Sequence, residues 1–223
     1  MDLSGNRPHL TSRITLTREL NKLKDKISEI GENCCSSLAM VISSFMANND
    51  FLLHKVESIS SIVNQESEQL ELNCLTILSL QQPLLKDLRF VIGSLRISSY
   101  LTRIANYSKK LADNSGQIQK DFIPEELILI AESCQLMLTD ALKAFSSGST
   151  SLALELVEKD RELDLLHDSS FSKIIKRMTQ EKAELIELDA QVLRSLRFLE
   201  RIGDLIAAIA KEIYFIQTGK KYQ

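Results

Sequence analysis

Leu16, Leu20, Leu23, Ile27, Ile30 and Cys34 recur at alternating steps of four and three, and Leu38, Val41 and Phe45 extend the series. This spacing keeps one narrow apolar stripe on a single helix face over about eight turns. Such a stripe is buried only against other helices. The rest of the chain allows the same architecture: 223 residues carry only 7 Gly and 3 Pro, which favours long helices over many short strands.

Residues before about Ser12 are expected to be loose. Ala47-Asn48-Asn49-Asp50 interrupts the first stripe, and Asp50 suits the cap of the helix that follows. The second helix carries Leu53, Val56, Val63, Leu70 and Leu78, and Gln82-Pro83 stops it, because a residue before Pro avoids the helical region. A third runs from about Leu84 through Val91, Leu95 and Ile104 toward Leu111. Asn114-Ser115-Gly116 reads as its stop and the polar stretch to Lys120 as a linker. Pro124-Glu125-Glu126 fits the first turn of a fourth helix, since Pro loses no hydrogen bond there and acids favour the N-terminal dipole. The fourth helix ends at Ser146-Ser147-Gly148-Ser149, the fifth spans Leu154 to about Met178, and the sixth runs from about Lys182 to Ile216.

The two halves repeat. Leu101-Thr102-Arg103-Ile104-Ala105-Asn106 aligns with Leu199-Glu200-Arg201-Ile202-Gly203-Asp204, an offset of 204 − 106 = 98 residues, and Leu95-Arg96 aligns with Leu193-Arg194. On the preceding helices Ser60 and Val63-Asn64 match Asp160 and Leu163-Asp164. The expected fold is all-α, two tandem pseudo-symmetric three-helix bundles spanning residues 12–114 and 123–219.

The second half holds two acid pairs, Asp160 with Asp164 and Glu200 with Asp204. Residues four apart face the same way on a helix, and like charges so placed cost about 0.2–0.5 kcal/mol per pair. If both pairs turn to one seam, a hard cation would relieve the repulsion. Pairing with Arg161, Arg197 or Arg201 on a solvated surface is the plainer alternative. The first half answers with Ser60, Asn64, Thr102 and Asn106, all neutral, which suggests one site retained and its twin lost.

Other chemistry is thinly represented. The net charge of −3 disfavours a nucleic-acid binder. No Ser-His-Asp order, phosphate-binding Gly loop or Glu-x-x-His pair is present, which disfavours an enzyme. Cys34, Cys35, Cys74 and Cys134 lack metal-finger spacing and are expected to be reduced core thiols. His167, three residues past Asp164, could approach a metal there, but is expected rather to face solvent or a partner. Arg89, Arg96 and Arg103 recur every seven residues, a stripe for salt bridges within the bundle or for partner contacts. No apolar stretch nears the roughly 20 residues of a membrane span, and Met1-Asp2-Leu3-Ser4-Gly5 lacks the parts of a secretory leader, so a cytoplasmic protein is expected.

Glu200-Arg201-Ile202-Gly203-Asp204, Asp160-Arg161-Glu162-Leu163-Asp164, and Gln82-Pro83 followed by Asp87-Leu88-Arg89 closely resemble signature segments of the PhoU family, from about Thr17 to Gly219. The resemblance implies a regulator of phosphate uptake and of phosphate-responsive two-component signalling. Such a protein contacts the phosphate transporter ATPase subunit and a sensor histidine kinase, and so associates with the membrane through partners. A homodimer without enzymatic activity is expected. The resemblance also implies a metal site, iron, zinc or another divalent ion, in the second bundle only, held by Asp160, Asp164, Glu200 and Asp204. Family members often continue the second motif with Asn and an acid, where this chain has Ala208 and Lys211. Two alternatives remain: a metal-binding or metalloenzyme bundle using the second-half carboxylates, and an accessory of another phosphate transporter.

Overall fold

A computed structural model describes residues 8–46, 50–180 and 183–222. Six long helices follow in order: α1 (Pro8–Met46), α2 (Asp50–Gln81), α3 (Leu85–Ser115), α4 (Glu125–Ser147), α5 (Thr150–Met178) and α6 (Ala183–Thr218). A short 3-10 turn, Lys120–Phe122, lies in the connection between α3 and α4. Among the described residues there is no strand.

The stripe that opened the sequence is the spine of the first bundle: Leu23, Ile27, Ile30, Cys34, Leu38, Val41 and Phe45 are all buried. The fourth helix repeats it 100 residues later with Leu127, Ile130, Cys134, Leu138, Ala141 and Phe145, also buried. Even the thiols match: Cys34 Sγ donates to the Leu101 carbonyl at 3.4 Å and Cys134 Sγ to the Leu199 carbonyl at 3.6 Å. The duplication therefore extends to the first helix of each half.

The helices pack as two three-helix bundles, α1–α3 and α4–α6, joined by α1 against α4 and α3 against α6. Both joining pairs are antiparallel. Arg96 of α3 meets Glu212 of α6 (Nη1 to Oε1, 3.2 Å), while Asn114, one residue from the end of α3, donates to the Gln191 carbonyl and Ser195 Oγ, both at 2.7 Å. Arg89 Nε donates to the Ile216 carbonyl at 3.3 Å and so binds the C-terminal end of α6 to the start of α3. Of the arginine stripe, then, Arg89 and Arg96 close the bundle interface, and Arg103 is exposed. α2 and α5 lie outermost, each packed chiefly on its own bundle.

Several boundaries differ from the sequence reading. α1 begins at Pro8, ahead of the expected start; residues 1–7, and Ala47 to Asn49 of the expected break, lie outside the described residues. α5 begins at Thr150 because the Ser149 side chain accepts the Leu152 N–H and caps it there. Gly148 ends α4 in the left-handed region at φ 68°, which a glycine tolerates without strain. Asn114 and Ser115 stop α3 as expected, but both are buried against neighbouring helices.

Candidate functional site

The four candidate acids lie on facing stretches of α5 and α6. The register is set by Gly203. A Cβ there would stand 3.1 Å from Asp160 Oδ1 and 3.1 Å from Leu163 Cδ2, so the missing side chain is what lets α5 close on α6 at this level. In the first half the corresponding pair is Ala105 on α3 and Ser60 on α2.

Asp160 is the most perturbed of the four. Burial, then the Asp164 and Asp204 carboxylates, push its pKa from 3.8 to about 6, with Lys211 opposing. Asp164 is also raised, by burial first and then by Asp204, Glu200 and Asp168, with His167 opposing. The two helices thus present their carboxylates to one another. Among the described residues, Asp160, Asp164 and Asp204 have no Lys or Arg partner within 4 Å; Arg161, offered by the plainer reading as their partner, binds Glu158 instead at 2.8 Å. Asp160 Oδ1 is buried without a hydrogen-bond partner. Lys211, two turns beyond Asp204, rests its ammonium over the Tyr222 ring and acts on the seam at a distance.

His167 corrects the sequence reading. It is 8% exposed, facing neither solvent nor an open surface, and its Nε2 lies 3.8 Å from Glu200 Oε2. That nitrogen, too, is buried without a hydrogen-bond partner. Spacing alone placed His167 one turn from Asp164; what it did not reveal was that α6 would cover it.

The first bundle has the same arrangement built from neutral groups. Ser60 Oγ donates to Asn106 Oδ1 at 3.1 Å, Asn64 Nδ2 approaches the same oxygen at 3.5 Å, and Thr102 Oγ1 donates to Ser67 Oγ at 2.7 Å. Ser67 and Thr102 stand where the second half has His167 and Glu200. Ser60, Asn64, Thr102 and Asn106 all find hydrogen-bond partners, and only the Ser98 hydroxyl beside them is buried unpaired, whereas the acidic seam leaves a carboxylate oxygen and an imidazole nitrogen buried without one. That contrast marks the second half as the place where an additional group would be stabilising.

The donor chemistry fits a cation in part. Four carboxylates suit a hard or borderline ion, and His167 would add a nitrogen donor. As the side chains stand, however, no three His, Cys, Asp or Glu groups among the described residues converge closely enough to hold one. Binding would require carboxylate rotamers to turn inward.

Of the cysteines, Cys34, Cys74 and Cys134 are buried free thiols, as expected, but Cys35 is only half-buried, 3.7 Å from Thr139 Oγ1 where α1 meets α4. Burial raises the pKa of all four, that of Cys74 and of Cys134 to about 12.

Fold and seam define an internally duplicated six-helix protein, two three-helix bundles with an acidic seam in one and its neutral copy in the other. The model of the PhoU domain matches it twice, over residues 27–115 and 127–213, and the chain belongs to the PhoU family. It is 26% identical over 213 residues to the phosphate-specific transport system accessory protein PhoU homolog 1 of Methanothermobacter thermautotrophicus, covering 94% of this chain and 97% of that protein. It is 27% identical over 209 residues to the corresponding homolog of Rhizobium meliloti, covering 92% and 88%. The crystal structure of the phosphate transport system regulatory protein PhoU from Streptococcus pneumoniae superposes with a TM-score of 0.87 at 24% identity, over 93% of this chain and 99% of that one. PhoU from Pseudomonas aeruginosa gives 0.86 at 23%, over 92% and 99%. At those identities the structural likeness speaks for the fold alone.

Proposed function

We propose that this chain regulates phosphate uptake and phosphate-responsive two-component signalling by binding the phosphate transporter ATPase subunit, a sensor histidine kinase, or both. The supporting observation is full-length similarity to proteins named as accessory to phosphate-specific transport. The mechanism is binding without turnover: the regulator stabilises one conformation of its partner and shifts that partner's population. It works in the cytoplasm as a homodimer, reaching the membrane through its partners. No helix among the described residues is long and apolar enough to cross a membrane.

Deleting the gene tests this reading. Phosphate-responsive transcription should lose its repression at high phosphate and regain it on complementation. Unchanged transcription, together with no co-purification of transporter ATPase or kinase, refutes the proposal. Light scattering of the purified protein tests the dimer.

A second reading rests on the unpaired Asp160 Oδ1 and His167 Nε2: the α5–α6 seam takes up an iron, zinc or other divalent ion through Asp160, Asp164, Glu200 and Asp204. Bound there, the ion would neutralise the converging carboxylates and tie α5 to α6. Elemental analysis should then find metal in the native protein and lose it in Glu200→Gln with Asp204→Asn. Metal retained by that folded variant refutes the assignment.

A further inference from the structure

The turn between α2 and α3 presents three large aliphatic side chains to solvent: Leu80 is 72% exposed, Leu84 75% and Leu85 80%. Its backbone is strained, with Gln82 at φ 45° and Leu85 at φ 51°, a region that a residue as bulky as leucine rarely adopts. The pseudo-equivalent connection between α5 and α6 reads Met178-Thr179-Gln180-Glu181-Lys182-Ala183, with no leucine, and of its described residues Thr179 and Gln180 are exposed. The duplication gives both bundles a turn at this point, and only the first bundle has made it apolar.

The same end of the molecule is basic. Antiparallel packing brings the N-terminal part of α1 beside the C-terminal end of α2, where Thr15, Glu19 and Lys22 share a pocket of about 340 Å³ with Leu80 and Gln81. It also brings the end of α6 to the start of α3, where the Arg89 guanidinium lies 3.3 Å from the Cβ position of Gly219. Exposed Arg13, Arg18, Lys22, Lys86, Lys220 and Lys221 therefore lie at this end of the molecule, Arg18 and Lys22 beside Glu19 and the two C-terminal lysines in a pocket with Leu154. Against the acids Glu19, Asp87, Glu155 and Glu158, the last of which accepts from Tyr222 Oη, the local excess is positive, 6 − 4 = +2, on a chain whose net charge is −3. Ile14, 68% exposed, extends the apolar surface onto α1.

We infer that this end of the first bundle rests directly on an anionic lipid surface, with Leu80, Leu84 and Leu85 entering the headgroup–acyl boundary and the surrounding lysines and arginines meeting lipid phosphates. A convex aliphatic tip ringed by cations has the chemistry of interfacial lipid binding. A protein partner would be expected to find aromatic anchors at the turn, and residues 80–86 contain none. This goes beyond the regulatory reading: it gives the protein its own hold on the membrane, oriented with the first bundle down.

Vesicle flotation tests it, using purified full-length protein with phosphatidylcholine vesicles and with vesicles enriched in phosphatidylglycerol. The protein floats with the anionic vesicles, does not float with the neutral ones, and is released as salt rises. Leu84→Ser with Leu85→Ser weakens binding about tenfold or more, while Leu165→Ser, which removes a leucine 72% exposed on α5, leaves it unchanged. Thermal melts check that each variant is folded. Should the double serine variant melt early, Lys86→Glu with Lys221→Glu serves in its place and weakens binding to the same vesicles. Failure of the native protein to float with anionic vesicles overturns the inference, as does binding indifferent to both pairs of substitutions. Capture of a transporter subunit that depends on Leu84 and Leu85 without lipid, from a protein that ignores vesicles, also overturns it in favour of a protein partner. Phosphate-responsive transcription is a separate readout, so failure here leaves the regulatory proposal standing.

Discussion

Asp160→Asn removes the charge that the α5–α6 seam accommodates worst. Burial and the facing Asp164 and Asp204 raise the Asp160 pKa from 3.8 to about 6. A carboxylate with a raised value in the folded state is one that folding prefers protonated. Below the unfolded value it imposes no penalty. As pH climbs toward about 6 the ionised group destabilises the fold increasingly, and beyond that the penalty is constant. The gap between the two values is worth about 3 kcal/mol at full weight. Because Asp160 is only partly buried, solvent screening reduces this to about 1–2 kcal/mol. Asn keeps the shape and removes the charge, so the variant should be more stable than the native chain at neutral pH by that amount, a gain of about 2–6 °C in Tm. Urea denaturation of chelator-treated protein at about pH 5 and about pH 7.5 measures it, and the gain should be larger at the higher pH. A variant no more stable at neutral pH, or one whose advantage ignores pH, would refute the picture of carboxylates forced together.

Arg177→Met should cost about 3–5 kcal/mol, read by denaturant midpoint, because it strands the Asp189 carboxylate, 2% exposed and ion-paired to Arg177, in the second bundle without a counter-charge. Gly93→Val should cost about 3 kcal/mol by overpacking: even a Cβ at this position would stand 2.4 Å from Ile216 Cδ1, and Ile216 is buried in the α3–α6 interface and has little room to retreat. A thiol reagent at mildly alkaline pH should modify only Cys35 in the folded protein and all four cysteines in denaturant, since Cys34, Cys74 and Cys134 are buried and their pKa values raised. Rapid reaction of a second thiol in the native state would contradict the burial of Cys34, Cys74 or Cys134 in the helical cores.

The sequence determined the helices, their duplication and the identity of the four acids, because these depend on local periodicity. A 3.6-residue repeat states which face of a helix is buried, and four-residue spacing states that Asp160 and Asp164, or Glu200 and Asp204, share a face. Periodicity says nothing about which helix covers that face. Tertiary packing alone decided that α6 closes over His167, that Gly203 admits Asp160 until its Oδ1 has no partner, and that Arg89 and Arg96 serve the bundle interface. It likewise decided that three leucines at the α2–α3 turn remain in solvent, beside cations drawn from the distant ends of α1 and α6. Burial and electrostatic environment arise from which surfaces meet, and antiparallel packing of two bundles brings together residues that no window along the chain contains.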